Sequence, residues 1–204
     1  MNKAHGDETS RALLLAAHRL LADHGADALT VRRIANEANM STMNVYSRFG
    51  GKDGVVEELY IDGFERLLAL VTAVPTTDDV ADDLRNVAIA YREFALQNPT
   101  YYRVMFRSSI NEFTPSDHAR NVAMEGLDVF SARIRAGQQS GDIIDDADHD
   151  AATIAGWMWA ACHGLVSLEL VGLAADRVDW PSIFDLGLRS AITGLQPTLR
   201  RLSA

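Results

Sequence analysis

The chain has 204 residues, enough for one large domain or two small ones with a real hydrophobic core. Its 48% hydrophobic and 23% charged content is that of a soluble globular protein, no apolar run reaches the length that crosses a bilayer, and the amino terminus lacks the apolar core of a secretion signal. The net charge of −9 argues superficially against a nucleic-acid partner, yet residues 1–55 carry seven Lys/Arg against six Asp/Glu, so the acidity belongs to the remainder.

Asp7-Glu8-Thr9-Ser10 marks a helix start, since acids and hydroxyls suit the positive end of a helix. Ala12, Leu13, Ala16, Ala17, Leu20 and Leu21 then recur in pairs every four residues, an amphipathic helix closed at His24-Gly25. Thr30 caps a second helix, whose apolar stripe is Val31, Ile34, Ala35 and Ala38. Asn39 stands where that helix ends, and asparagine tolerates the left-handed conformation needed there. Ser41 caps a third helix, which buries Val45 and Phe49 and stops at Gly50-Gly51. Its outer face carries Thr42, Met43, Asn44, Tyr46, Ser47 and Arg48. Two short helices joined by a tight turn form a helix-turn-helix, whose second helix fits the DNA major groove. A plain helical hairpin with a solvated face is the competing reading.

Lys52-Asp53 opens a long fourth helix through Val55, Val56, Leu59, Phe64, Leu67, Leu68 and Val71, up to Pro75. A segment from Asp78-Asp79 carries Val80, Leu84, Val87, Ala88, Tyr91, Phe94 and Ala95 as far as Asn98, and Pro99 then starts a short helix. Thr114-Pro115-Ser116-Asp117 offers a cap, a proline in the first turn and an acid. Asp145-Asp146-Ala147-Asp148 precedes a helix from Ala151 to about Leu173, apolar nearly all round, and a last helix follows Asp179-Trp180-Pro181. The expected fold is all-α: an N-terminal three-helix helix-turn-helix DNA-binding domain (1–54) and a C-terminal helical-bundle dimerisation domain (55–204), which becomes a ligand-binding domain only through the family resemblance given below. The last two helices hold more apolar surface than one monomer easily hides. Val166, Leu168, Leu170, Val171, Phe184, Leu188, Ile192 and Leu195 are therefore expected in a two-fold interface, unless both helices are simply central in the monomer.

Leu29-Thr30-Val31-Arg32-Arg33-Ile34-Ala35, then Val45-Tyr46-Ser47-Arg48-Phe49 and Lys52-Asp53, resemble the signature of the TetR family of bacterial transcriptional repressors. Asn39-Met40-Ser41 stands where that signature has Gly-Val-Ser, a workable departure. The match is close over about the first 60 residues and looser around Asn98–Phe106 and Trp159–Leu165. The resemblance implies a homodimer on palindromic, double-stranded operator DNA, working in the cytoplasm. Tyr46 and Lys52 would meet phosphates, as would Thr30, Arg32, Arg33 and Arg48, while Ser41, Thr42, Met43 and Asn44 lie at the groove. Asn44 can pair with adenine and Met43 can pack on a thymine methyl. For Tyr46 a core aromatic, and for the two adjacent arginines a solvated face, are the competing readings.

The resemblance also implies a small-molecule effector, lodged among Phe64, Leu68, Tyr91, Tyr102, Met105, Phe106, Met124, Leu127, Phe130, Trp157, Met158, Cys162 and His163. Plain core is the alternative for that stripe, and a satisfied core histidine the alternative for His163. The single cysteine, Cys162, points to a reducing compartment. No enzyme motif is legible: no Glu has a His three residues later, and there is no phosphate loop, nucleophile elbow or zinc spacing, so no cofactor, metal or membrane partner is expected. The rival to a repressor is a helical carrier or interaction protein with a vestigial reading head.

Overall fold

A computed structural model describes residues 3–106, 113–145 and 148–197. Asp146 and Ala147 of the expected start signal lie outside the described residues. Among the described residues the chain is helical and free of strands, and it gathers into two compact units. One comprises residues up to Arg66 with Asn98–Ala123; the other comprises Leu67–Gln97 with the chain from Met124 onward.

In the first unit, α1 (Lys3–His24) opens ahead of the Asp7–Ser10 start expected from sequence, so those acids lie within the helix instead of capping it. Gly25, at φ 76°, and a short turn at Ala26–Ala28 lead into α2 (Val31–Glu37). Thr30 Oγ1 accepts from the Arg33 amide at 3.3 Å, satisfying one free donor of the first turn. Asn39 takes φ 54°, and the Met40 amide returns 2.8 Å to the Ala35 carbonyl, which closes the helix as anticipated. Ser41 holds the cap position of α3 (Thr42–Phe49) without a side-chain cap bond. Its hydroxyl instead accepts from Asn44 Nδ2 at 3.3 Å. Gly50, left-handed at φ 71°, ends α3.

The core of this unit is Leu13, Ala16, Ala17, Leu20, Leu21, Ile34, Ala35, Val45, Val55, Val56 and Leu59, all buried. Val31, Ala38 and Phe49, expected inside, are only half-buried. The first part of α4 (Lys52–Ala73) and α6 (Pro99–Phe106) complete the unit. Gly63 lets these two helices touch, because a β-carbon there would sit 2.9 Å from Met105 Sδ. Beside it the Tyr101 hydroxyl donates to Asp62, and Arg66 Nε donates to the same carboxylate at 2.9 Å. Tyr101 also stacks on His18 of α1, ring centroids 4.7 Å apart. Burial, helped by the Asp62 carboxylate, pushes the Tyr101 phenol up to about 12. The helix α7 (Asp117–Ser140) is capped by Ser116, whose Oγ accepts from the Ala119 amide at 3.2 Å, so Pro115 precedes the helix and does not enter its first turn.

In the second unit α5 (Val80–Gln97) packs on α8 (Ala151–Val171) and α9 (Trp180–Leu195), and these two pack on each other. Asp150 caps α8, accepting from the Thr153 amide at 2.7 Å, and Gly172 ends it in a left-handed conformation. Leu84, Val87, Phe94, Ile134, Ile154, Met158 and Val166 form the core. Arg92 of α5 meets Glu169 of α8, Nε to Oε2 at 2.8 Å, with its guanidinium carbon 5.5 Å from the Phe184 ring centroid. Arg133 of α7 donates to the carbonyl of Val71 in the last turn of α4 and to those of Val74 and Pro75 just beyond it.

The expectation that no segment is long and apolar enough to cross a membrane needs correction. By length and composition Ala151–Val171 is, and only 22% of its apolar window is buried. Thr153, His163, Ser167 and Glu169 interrupt its apolar run without lowering its mean hydropathy below that needed to span. One side of this helix, through Ile154, Ala155, Met158, Cys162 and Val166, is packed as protein core.

Candidate nucleic-acid interface

At about 100° per residue, a helix that buries Val45 turns the opposite side to Met43 and Ser47. Both are exposed, and Met43 is 70% accessible, so the ridge opposite the core carries a projecting thioether. Thr42 and Tyr46 flank this ridge on one side, and Asn44 and Arg48 on the other. Tyr46 is 55% exposed, which removes the core-aromatic reading.

The polar groups of the ridge are partly committed to one another. Ser47 Oγ donates to the Asn44 carbonyl at 3.3 Å, and Arg48 Nη1 approaches Ser47 Oγ at 3.5 Å. The Asn44 amide is tied back to Ser41. Arg48 Nε is buried with no hydrogen-bond partner among the described residues. Thr30, the cap of α2, and Arg32 and Arg33 on it are exposed, and Lys52, half-buried, begins α4 with its Nζ 4.0 Å from Asp53. The expected interface residues thus all belong to the first unit and reach its surface at least in part. Two further residues matter at this surface. Ser47, on the expected outer face, stands opposite the core because Val45 is buried. Gly54 was not singled out; a β-carbon on it would lie 1.8 Å from the Phe49 carbonyl oxygen, so it sets how closely α4 follows α3.

The expected effector residues divide between the units. Phe64, Tyr102, Met105 and Phe106 lie in the first, where Phe64 and Phe106 meet edge to face with centroids 5.4 Å apart. Leu68, Tyr91, Leu127, Phe130, Met158, Cys162 and His163 lie in the second, buried or half-buried, whereas Met124 and Trp157 are exposed. His163 faces the Tyr91 hydroxyl with Nδ1 at 3.2 Å and Ser167 Oγ with Nε2 at 3.3 Å, and burial lowers its pKa, so the neutral ring is favoured. Burial pushes the Cys162 thiol up to about 11, away from reactive thiolate character. A cavity of about 20 Å³ lies between α8 and α9, lined by Met158, Cys162, Leu165, Phe184 and Leu188; it admits one water-sized group and no organic effector.

Of the residues expected in a two-fold interface, Val166, Phe184, Leu188, Ile192 and Leu195 are buried within the second unit, on the sides of α8 and α9 that face each other and α5. Leu170 is half-buried, and Leu168 and Val171 are exposed at 43% and 59%. The outward stripe of α8 runs Trp157, Ala160, Ala161, Gly164, Leu168, Val171, without a charge.

A capped helix, a left-handed turn and a second helix with a projecting face define a helix-turn-helix transcription regulator. Comparison with known proteins agrees. Residues 13–59 match the model of the bacterial regulatory proteins of the tetR family, and residues 84–191 match the tetracyclin repressor-like C-terminal domain. The chain belongs to the TetR family of transcriptional regulators. It is 28% identical to an HTH-type transcriptional regulator of Mycobacterium tuberculosis over 205 residues, which cover 87% of this chain and 88% of the relative. A Rhodococcus sp. RHA1 protein of unknown function shares the fold with a TM-score of 0.81 at 23% identity, covering 93% of this chain and 96% of the other. A tetR-family regulatory protein from Rhodococcus RHA1 does so at 0.71 and 21% identity, with 97% and 100% covered.

Proposed function

We propose that this regulator is a repressor that binds a palindromic operator as a homodimer and is released by a small lipophilic ligand. In this reading residues 1–54 form the DNA-binding head, and residues 55–204 sense the ligand and dimerise. The observation that carries it is the face of α3, where exposed Tyr46 stands beside the projecting ridge of Met43 and Ser47. Its hydroxyl meets a phosphate, Lys52 adds charge at the start of α4, and Thr30, Arg32, Arg33 and Arg48 supply further phosphate contacts.

The homodimer rests on the uncharged outer stripe of α8, which leaves Trp157, Leu168 and Val171 in water unless a second copy covers it. Two heads paired in a dimer meet half-sites about one helical turn apart. Ligand release requires an effector that prefers the non-binding arrangement, since equal affinity for both shifts nothing. The acidic, apolar sensor favours a neutral or cationic lipophilic molecule over a strongly anionic one.

The test is Tyr46→Ala in a gel shift with DNA from upstream of the gene. Operator binding is lost while the thermal melt stays in place, because the side chain is exposed. Unchanged affinity would overturn the assignment of α3 as the reading helix.

A further inference from the structure

Resting on the DNA-binding reading above, we infer that Met43 is the specificity-determining residue of the head, reading the C5-methyl of a thymine in each half-site. The usual carriers of base specificity are long polar side chains: arginine or lysine on guanine, asparagine or glutamine on adenine. On α3 those groups stand to the side of the central ridge and are partly committed to neighbours. Asn44 sits on the flank of the helix, half-buried, with its amide donating back to Ser41 Oγ. Arg48 lies on the same flank, with Nε buried and Nη1 directed at Ser47 Oγ. Ser47 shares the central ridge, but its hydroxyl proton is given to the Asn44 carbonyl.

What remains at the centre is Met43. At 70% exposure most of its apolar surface stands in water, a cost that is relieved once it enters a groove. The major-groove edge offers one apolar feature to such a side chain, the C5-methyl of thymine. The Met43 ridge therefore selects an A·T pair from the pyrimidine side, through van der Waals contact and desolvation instead of hydrogen bonds. Asn44, assigned to adenine on sequence grounds, is a positioning residue that holds the start of α3 through Ser41.

The experiment begins with selection of bound duplexes from a random pool by the full chain, followed by fluorescence anisotropy. Each thymine of the selected half-site is replaced in turn by deoxyuridine, which removes the C5-methyl and nothing else. One position in each half-site loses about fourfold in affinity per methyl removed, the worth of one buried methylene-sized group. In Met43→Ala that position becomes indifferent to the swap, while the thermal melt is unchanged. Affinity untouched by deoxyuridine at every position, or a methyl effect that persists in Met43→Ala, overturns the inference and leaves the DNA-binding reading standing. A wild-type chain that selects no duplex overturns both.

Discussion

Gly54, in the first turn of α4, lies over the backbone carbonyl of Phe49, the last residue of α3, so closely that a β-carbon would fall 1.8 Å from the oxygen. The neighbour is backbone and cannot rotate away. The smallest possible residue thus fixes the approach of α4 to the reading helix. Gly54→Ala is expected to destabilise the chain by about 3 kcal/mol, at the upper end of overpacking costs, and to weaken operator binding as α3 shifts. Urea unfolding and a gel shift check both; a variant as stable as the parent would mean that the two helices separate freely.

The Thr30 cap carries a smaller stake. Thr30→Ala removes the acceptor of the Arg33 amide and is expected to cost about 1 kcal/mol, while Thr30→Ser restores most of it. Chemical denaturation of the three proteins orders them parent, Ser, Ala.

How much was legible follows from the range of the forces involved. The Thr30 cap, the Asn39 turn and the Gly50 stop are local, settled within four residues, and the sequence displays them. The close approach of Gly54 to Phe49 depends on how two helices meet, as does the Tyr101–Asp62 bond, and neither leaves a mark in the pattern. Capping at α7 was misplaced by two residues because Thr114 and Ser116 are both able caps, and only the traced backbone separates them. The apolar character of α8 was plain, but a helix apolar all round does not disclose which side is inward. Val166 proved to be core, and Leu168 surface.

That surface yields the next expectation. Leu168→Glu combined with Val171→Glu places two charges on the outer stripe of α8 without touching the buried side. Dimer dissociation is expected to strengthen on the order of 100-fold, about 3 kcal/mol, with operator affinity falling in parallel because paired heads are lost. Sedimentation velocity over a concentration series reads this directly. A double variant that dimerises like the parent moves the interface elsewhere.

Arg92 and Glu169 are largely shielded, with side chains 19% and 14% exposed. Glu169→Ala strands a guanidinium against Phe184 and is expected to cost about 3 kcal/mol. Changing both to Met and Leu recovers most of that loss, because the desolvation of both ions is also removed. A double-mutant cycle in urea checks the sign of the coupling.

Protonation of His163 is disfavoured in the fold, since burial lowers its pKa from 6.5, and the same holds for His18 through burial and the nearby Arg66. The unfolded chain therefore binds more protons in this range. The contribution of these groups is fully present above about pH 6.5 and is lost as pH falls through their folded values. His163→Gln is expected to flatten the fall in unfolding free energy between about pH 7.5 and pH 5.5, leaving the His18 part. An identical pH profile for parent and variant would contradict the assignment.

The most direct measurement is sedimentation of the purified chain with a labelled duplex obtained by selection, at low and then raised ionic strength. Two chains per duplex, with affinity falling steeply as salt rises, is the expected result. A strictly monomeric chain that leaves every duplex free at low salt would contradict the account.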